Sequence, residues 1–362
     1  MNAPHDVCDA QTLRALPKVL LHEHLDGGLR VATLLDLLRH RGIPAPAADE
    51  TRLTAWFNAN AHAGSLEKYL EGFALTVAAM ASPAAMRRVA FEAAEDARED
   101  GAVLAEFRIA PLLFEAHGVS GEATVEALLE GLAQSSLPSG LIVCGMRHLP
   151  PEETKRAARL ALRYQGKLGN PGRAGHVGHH HPCCVVGFDL AGAEFGHPPA
   201  EHEAAITLVR DAGMALTLHA GEADAAERVL QAARLGATRI GHGVRLADAL
   251  SDPARRHLVD EAIALDVHLE VCPTSNVHTG AAASIATHPI TALWRAGLSL
   301  SYHTDNRLMS CITHSGEAAE LLRHTPLKRA DLLAMARQAA VHSFLPEAVR
   351  RTALAKIDAA AP

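Results

Sequence analysis

Histidines and acidic residues with the spacing of a metal site stand out in this sequence, which contains 23 histidines. His22 and His24 are two positions apart, so on a β-strand both imidazoles would point to the same side and could reach one ion. Alone, this pair is also compatible with two buried or surface histidines that bind no metal. With His219 and Asp305 it would supply three imidazoles and a carboxylate. That donor set favours a divalent transition metal, above all zinc, with a position left for water or substrate.

Two further residues could perform acid-base chemistry beside such an ion. Glu222 follows His219 across an Ala-Gly step, so its carboxyl could reach the cavity without occupying a ligand position. His242, between two glycines, could orient an attacking water and offset its developing charge. Each also has a simpler interpretation, since Glu222 could be an acid at a helix N-terminus and His242 a buried core histidine. A metal site would explain both residues at once.

These residues need a scaffold, and the sequence predicts an alternation of strands and helices. Eight short apolar or β-branched runs that end in polar residues predict strands at 19–24, 103–109, 141–146, 185–190, 215–219, 239–242, 267–272 and 298–305. Segments with helical spacing lie between most of them, as at 201–212, 225–235 and 253–265. Eight such units favour an α/β fold, a single (β/α)8 TIM-type barrel, in which the carboxyl ends of the strands would gather the site residues on one face.

Two connections are longer than the barrel plan requires. Between the first two predicted strands, helix-like stretches at 30–41, 65–80 and 83–100 predict inserted helices, and we interpret the region of about 30–100 as a lid. The second connection, at about 164–182, is rich in Gly and His and predicts a flexible loop, whose histidines could bind metal only adventitiously. No internal repeat or linker is evident, so we expect one domain over residues 1–362.

Composition narrows the class of protein. The net charge of −7 argues against nucleic-acid binding and against a basic membrane-surface protein, because both need clustered positive charge. No apolar stretch is long enough to cross a bilayer, and the N-terminal residues do not read as a signal peptide. The six cysteines form no CxxC pair and are interpreted as reduced packing residues. We expect a cytoplasmic protein with a small-molecule substrate; the sequence leaves its oligomeric state open.

One missing residue bears on the number of metal ions. Two-metal hydrolases of related barrel design commonly bridge their ions with a carboxylated lysine at the end of the fourth strand. Here that end reads GFDLAG at 187–192, and no lysine occurs between Lys167 and Lys328. The sequence therefore favours a single ion per chain.

Six stretches, taken as a set, resemble the adenosine deaminases of the amidohydrolase superfamily. They run in family order from about residue 17 to 311 and include PKVLLHEHLDG at 17–27, GFDLAG at 187–192, HAGE at 219–222, GHGV at 241–244, CPTSN at 272–276 and HTDN at 303–306. The resemblance implies a hydrolytic deaminase with one zinc ion per chain. Its substrate would be a purine nucleoside, adenosine or 2′-deoxyadenosine, which it would convert to inosine or deoxyinosine plus ammonia.

The resemblance also implies catalytic roles for individual residues. The zinc ligands would be His22, His24, His219 and Asp305. Glu222 would protonate the purine nitrogen N1 while hydroxide attacks C6, and His242 with Asp305 would position and deprotonate the water. The chemistry is consistent, because bound zinc lowers the pKa of water and protonation of N1 makes C6 electrophilic.

The substrate contacts implied by the resemblance involve His24, Asp26, Gly192 and Asn306. Gly192 would offer its backbone N–H to N3 of the purine, and Asp26 would bind the ribose. Since adenine-deaminating relatives typically have Glu at that position, Asp26 favours a nucleoside over a free base. A surface Asp or a plain turn glycine is the simpler interpretation of each.

Asn306 departs from the best-known members, which carry a second Asp there. Its amide can still donate to N7 of the purine. Bacterial relatives with this variation include enzymes that act on nucleosides with a bulky 5′ substituent, such as aminodeoxyfutalosine. A modified adenosine is therefore the first alternative and adenine the second. The non-enzyme alternative, a catalytically retired zinc-binding barrel, would lack one of the catalytic or ligand residues, and none is missing.

Overall fold

The computed structural model describes residues 10–61, 72–166 and 183–361. Eight parallel strands form one sheet in the order of the sequence. They are β1 Lys18–His24, β2 Ala102–Ile109, β3 Ser139–Met146, β4 Val185–Ala191, β5 Ala215–Ala220, β6 Arg239–His242, β7 His268–Val271 and β8 Ser299–Tyr302. The sheet closes where the backbone N–H of His24 donates to the Asp305 carbonyl and that of Asp305 donates to His22, at 2.8 and 3.0 Å. The predicted (β/α)8 barrel is confirmed, and each predicted strand overlaps an observed one.

Helices alternate with the strands and pack against them. The α-helices are Ala10–Ala15, Val31–Arg41, Glu50–Ala61, Phe73–Met80, Pro83–Glu99, Gly121–Leu132, Pro151–Tyr164, Glu203–Asp211, Glu227–Arg234, Leu246–Leu250, Arg256–Ala264, Pro273–His278, Ile290–Arg295, Arg307–Ser310, His314–His324, Arg329–His342 and Glu347–Ala360. Short 3-10 helices lie at Pro111–His117 and Pro199–His202. Within the described ranges, none of these helices has the length and apolar character needed to span a bilayer.

In its described residues the insertion between β1 and β2 contains four helices; three overlap the predicted stretches at 30–41, 65–80 and 83–100, and Glu50–Ala61 is an additional one. Pro83–Glu99 shows why one of them begins where it does: the Ser82 hydroxyl accepts from the backbone N–H of Ala85, and Pro83 occupies the first helical position. The helix Phe73–Met80 borders the barrel mouth, since Phe73 and Val77 line the pocket described below. Residues 65–71 of the predicted 65–80 helix lie outside the described residues, as do residues 167–182 of the predicted Gly/His-rich loop.

The interior of the barrel holds an ionic network that the sequence analysis did not anticipate. Arg108 donates to Asp189 and to Glu270, at 2.7 and 2.6 Å. Arg239 donates to Glu270 and to Glu106, both at 2.6 Å. All five side chains are fully buried. Barrel interiors of this class are usually filled by branched apolar residues, so the network departs from the usual packing, and through Glu270 and Asp189 it contacts His22 and His219 at the mouth.

Candidate metal centre and active site

Every site residue predicted from the sequence lies at the carboxyl-terminal mouth of the barrel. Two of them end β1 and β6, namely His24 and His242, while Asp305 follows β8. One cavity of about 300 Å³ is lined by His24, Asp26, Gly192, His219, Glu222, His242, Asp305 and Asn306. His22 is fully buried against them, with its ring centroid 4.7 Å from that of His219. The structure thus brings residues from five strand ends to one place.

The backbone at the mouth adopts conformations that are rare elsewhere. His242 and Asp305 have φ of 64° and 58°, in the left-handed region that costs a non-glycine residue about 1–3 kcal/mol. Gly221, with φ of 70°, makes the tight turn that separates His219 from Glu222, and a Cβ there would approach the Val229 side chain to 2.6 Å. Such strain persists where the surrounding structure fixes it, and it clusters at functional sites.

The potential metal ligands are close enough to hold one ion. Donor atoms of His22, His219, His242 and Asp305 all lie within 4.8 Å of one another. Nε2 of His24 lies 3.4 Å from Nε2 of His219 and 3.6 Å from Oδ1 of Asp305. Nε2 of His22 is 3.3 Å from the same Asp305 oxygen. Three imidazoles and one carboxylate therefore lie within reach of one ion, and His24 lies against two of these residues.

Hydrogen bonds behind this cluster fit a bound cation. Nδ1 of His22 lies 2.9 Å from Glu270 Oε2, and Nδ1 of His219 lies 3.0 Å from Asp189 Oδ1. Because an ionised carboxylate only accepts, each Nδ1 carries the ring proton and each Nε2 keeps a lone pair. In the part of the chain that the structure describes, Nε2 of His22 is buried and has no hydrogen-bond partner. A cation at the cluster would satisfy that atom, so the donor set fits a divalent metal.

The network in the barrel interior keeps both carboxylates ionised. Burial alone would raise the pKa of Glu270, but the guanidinium groups of Arg108 and Arg239 outweigh burial and hold the pKa well below its usual value. For Asp189, burial is likewise opposed by the His219 imidazole and Arg108, and the net effect is a strongly lowered pKa. The arginines thereby preserve the proton arrangement that leaves Nε2 of His22 and His219 available.

Glu222 stands beside the metal cluster, buried to 4% exposure. The Thr279 hydroxyl donates to its Oε1 at 2.9 Å, and Nε2 of His242 lies 3.5 Å from its Oε2. Burial raises the pKa of the Glu222 carboxyl, which favours its protonated form. A protonated acid next to a cation site can donate a proton to a bound substrate.

Glu194 is a residue of the site to which sequence reasoning gave no role. Its buried carboxylate accepts the backbone N–H groups of Gly221 and Glu222 at 2.5 and 2.9 Å, and those of Ala223 and Asp224 at 2.6 and 3.2 Å. One side chain thus holds the whole loop that carries Glu222. The available signal was an acidic residue directly after the fourth-strand motif; its acceptor role depends on a loop far along the chain.

The CPTSN stretch at 272–276 also contacts the site through its side chains. The Ser275 hydroxyl donates to Asp305 Oδ2 at 2.6 Å. Nδ2 of Asn276 lies 3.1 Å from Nδ1 of His242. Together with Thr279, which follows the helix Pro273–His278, this one segment touches each side chain to which the resemblance gives a catalytic role.

Two further polar side chains, Asp26 and Asn306, line the cavity. Asp26 is 2% exposed, and burial raises its pKa to about 7. Within the described ranges, Oδ1 of Asp26 and Oδ1 of Asn306 have no hydrogen-bond partner. Gly27 leaves room for the second of these, because a Cβ on Gly27 would lie 1.9 Å from Oδ1 of Asn306.

The opposite lining is largely apolar, with Phe73, Val77, Leu113 and Met146 at the cavity surface. Gly192 interrupts this surface with φ of 93°, and a Cβ there would meet the His148 ring at 2.7 Å. Its backbone therefore borders the cavity without a side chain in front of it. An apolar wall with a few fixed polar groups suits a flat heteroaromatic ligand.

Comparison with known proteins relates this geometry to a family. A family model described as "Adenosine deaminase" matches residues 17–360. The chain is 41% identical over 352 residues to an adenosine deaminase of Mycobacterium tuberculosis (strain H37Rv), a match that covers 93% of this chain and 92% of the relative. It is 39% identical over 366 residues to an adenosine deaminase of Mycobacterium avium (strain 104), with 96% and 94% covered.

Solved structures share the fold at lower identity. An adenine deaminase from Arthrobacter aurescens superposes with a TM-score of 0.83 at 22% identity, covering 95% of this chain and 99% of that one. The N6-mAMP deaminase of Arabidopsis gives a TM-score of 0.80 at 24% identity, with 97% and 100% covered. An amidohydrolase from Burkholderia ambifaria with bound Zn gives a TM-score of 0.78 at 22% identity, with 99% and 95% covered.

Proposed function

Since this chain belongs to the adenosine deaminase family of the amidohydrolase superfamily, we propose that it is a zinc-dependent enzyme that converts adenosine and 2′-deoxyadenosine to inosine and deoxyinosine plus ammonia. The general reaction, hydrolysis of a C–N bond in a cyclic amidine, is that of the family. The observation that carries the proposal is the convergence of a buried acid, Glu222, with a cluster of ligand atoms that lie within 4.8 Å of one another.

The residues that would hold the ion are His22, His24, His219 and Asp305. Imidazole and carboxylate donors in this number suit zinc, and the Burkholderia neighbour with bound Zn supports the same metal here. When bound, the ion supplies a Lewis acid that lowers the pKa of a water molecule towards neutrality. We propose one ion per chain, because no lysine at the end of β4 could bridge a second.

Different side chains around the ion would carry out the separate proton transfers of the reaction. Glu222 would donate a proton to N1 of the purine, which makes C6 electrophilic. His242 and Asp305 would orient the attacking water towards C6 and take up the proton that it loses. The C6–O bond forms, the C6–N bond breaks, and the amino group leaves as ammonia after it has gained a proton. Each of these side chains contacts the segment at 275–279, which supports the proposed roles.

The substrate side of the cavity supports a nucleoside. Asp26 is buried at the cavity with one carboxylate oxygen that has no partner among the described residues, and a ribose hydroxyl could donate to it. Asn306 would donate to N7 and the backbone N–H of Gly192 to N3. No Lys or Arg lines this cavity within the described ranges, so among the described residues a 5′-phosphate would find no lysine or arginine partner there.

The proposal extends to the chain as a whole. We propose that residues 1–362 form one barrel domain, with the inserted helices of about 30–100 as the lid side of the mouth. The five cysteines in the described part of the chain are free, in keeping with the expected cytoplasmic location. The proposal includes a small-molecule purine partner and neither nucleic acid nor membrane.

The test is hydrolytic deamination by the purified, zinc-loaded protein on a panel of substrates at equal concentration, followed as ammonia release or, for N6-methyl-AMP, as methylamine release. The panel contains adenosine, 2′-deoxyadenosine, adenine, N6-methyl-AMP and aminodeoxyfutalosine, with Glu222→Gln as the blank. We expect the two simple nucleosides to be the best substrates. A preference of orders of magnitude for aminodeoxyfutalosine would keep the reaction and replace the substrate, and inactivity on all five would revive the catalytically retired barrel.

A further inference from the structure

Behind His242 lies a line of buried hydrogen bonds that ends at a backbone amide. The N–H of Ile290 donates to Nδ1 of His288 at 3.1 Å. Nε2 of His288 lies 3.3 Å from Oδ1 of Asn276, and Nδ2 of Asn276 lies 3.1 Å from Nδ1 of His242. Asn276, His288 and Ile290 are all at most 5% exposed. None of the roles assigned above uses His288.

The backbone amide fixes the direction of every bond in this line. A backbone N–H can only donate, so Nδ1 of His288 must accept and the single proton of the neutral ring is on Nε2. Nε2–H then donates to Oδ1 of Asn276, which turns the amide NH2 group towards His242. Burial lowers the pKa of His288 to about 3, which keeps that ring neutral. The last acceptor in the line is Nδ1 of His242.

We propose that Asn276 and His288 are positioning residues that hold His242 with its ring proton on Nε2, directed into the cavity. The inference rests on the proposed function for its catalytic meaning. His242 lines the cavity, and its Nε2 lies 3.5 Å from Glu222, on the side where substrate would bind. In this form Nε2 is a hydrogen-bond donor and has no lone pair for a metal ion.

The partner at Nδ1 thus separates the histidines of the cluster into two kinds. His22 and His219 are each backed by a carboxylate and present a lone pair at Nε2. His242 is backed by an amide NH2 and presents an N–H instead. His242 therefore donates to the attacking oxygen as negative charge develops there, and Asp305 is the group that accepts the proton of the water. This refines the shared role that the resemblance implies for His242 and Asp305.

The test reads the proton position directly by 15N NMR of histidine-labelled protein, because a ring nitrogen with a lone pair and one with a proton give distinct shifts. The His242 signals are assigned by their loss in His242→Gln. In the native protein at neutral pH we expect a lone pair on Nδ1 and a proton on Nε2. A proton on Nδ1 would overturn the proposal.

Three variants connect this proton to turnover. Asn276→Asp replaces the donor with an acceptor, so the proton should move to Nδ1 and kcat should fall about tenfold or more, with KM changed less. His288→Leu removes the donor that orients Asn276 and should give a smaller loss of kcat with a mixed tautomer. His288→Gln can accept from Ile290 and donate to Asn276 in the same direction, so it should restore both the signal and kcat.

Controls separate this effect from folding and from the proposed function. His314→Gln alters another buried histidine, which bonds to the Tyr302 carbonyl and does not line the cavity, and should leave kcat unchanged. Bound zinc and the thermal midpoint are measured for each variant. His288→Leu with native kcat and a native His242 signal would refute the proposal. If the native protein deaminated nothing, the proposed function would fail, yet the NMR signals would still decide the proton position.

Discussion

The mouth and the interior of the barrel are both built from buried polar side chains, yet their hydrogen bonds differ. In the interior, each oxygen of Asp189, Glu270 and Glu106 accepts at least one hydrogen bond. Arg108 and Arg239 supply four of these hydrogen bonds, at 2.6 to 2.7 Å. The interior carboxylates are complete without any ligand.

At the mouth, the buried atoms without a partner are potential ligand and acceptor atoms, whereas in the described part of the interior network they are two guanidinium nitrogens, Nε of Arg108 and Nη2 of Arg239. Among the described residues at the mouth, Nε2 of His22, Oδ1 of Asp26 and Oδ1 of Asn306 have no hydrogen-bond partner. His242 and Asp305 also sit in a strained backbone conformation. Burying a polar atom without a hydrogen bond is costly, so a cluster of such atoms marks the place where metal and substrate would bind. Mutations at the mouth should therefore mainly lower activity, whereas mutations in the interior should mainly lower stability.

The largest expected effect is on turnover at the mouth, with Glu222→Gln. The amide can still accept from Thr279 but cannot protonate the purine, so kcat should fall about 10²–10⁴-fold. Bound zinc and the free energy of unfolding should stay close to native, since the replacement has the same shape. The measurements are kcat, metal content and urea unfolding, with the partly exposed Glu261→Gln as the matched control. A variant with near-native turnover would remove Glu222 from the mechanism.

The complementary effect is on stability in the interior, with Arg108→Met. The substitution leaves Asp189 and Glu270 buried without their shared cation, which should lower the free energy of unfolding by about 3–5 kcal/mol. Urea unfolding measures it. Arg234→Met breaks an exposed ion pair with Glu261 and should change stability little. If Arg108→Met and Arg234→Met lowered the free energy of unfolding equally, the interior network would not stabilise the fold more than an exposed ion pair does.

The sequence predicts the mouth better than the interior, for a physical reason. The strands follow from local apolar runs, and His24, His242 and Asp305 could be placed because polar residues at the ends of parallel strands must share one face. Arg108 gave no such signal, since its partners are 81 and 162 positions away in the sequence and no spacing rule relates them. Contacts of this kind depend on the closed barrel.

The same limit explains the residues missed at the mouth. Glu194 accepts from amides 27 to 30 positions further along the chain, on a loop that only the fold brings near. The CPTSN motif contributes to the family resemblance, but the sequence alone predicts no role for it, because its contacts with His242 and Asp305 connect different strand ends. Sequence patterns identify side chains that could do chemistry, whereas the side chains that orient them are found from three-dimensional contacts.

A third prediction concerns Glu317, a buried carboxyl group that, among the described residues, has no arginine partner of the kind that the interior carboxylates have. Glu317 accepts from the N–H of Thr274, and its other oxygen has no partner in the described part of the chain. Burial raises the pKa of Glu317 to about 8, against 4.5 for an exposed Glu. The folded state therefore retains a proton that the unfolded state releases. The stability from this proton is present below pH 4.5 and is lost as the pH rises towards 8.

Glu317→Gln should accordingly flatten the dependence of unfolding free energy on pH. Between these limits the native protein should lose about 5 kcal/mol more than the variant, because the two pKa values differ by about 3.5 units and one unit corresponds to about 1.4 kcal/mol. Urea unfolding of both proteins across this range measures the difference. Parallel curves would mean that Glu317 is ionised in the fold. Glu317 would then be ionised like Glu270, whose pKa is lowered, and the contrast between these two buried carboxyl groups would disappear.

The smallest expected effect concerns Glu194, a carboxylate at the mouth whose two oxygens both accept hydrogen bonds, and it tests whether this side chain supports catalysis. In Glu194→Gln one oxygen becomes an NH2 group that faces backbone N–H donors, so the loop carrying Glu222 should shift. We expect kcat to fall about tenfold, with little change in KM and with zinc retained. The pH profile of kcat should move as well, because the surroundings of the Glu222 carboxyl change. Glu201→Gln, an exposed neighbour in sequence, is the control. A loss of stability with native kcat and pH profile would place Glu194 with the interior, as a support for the loop and not for the acid.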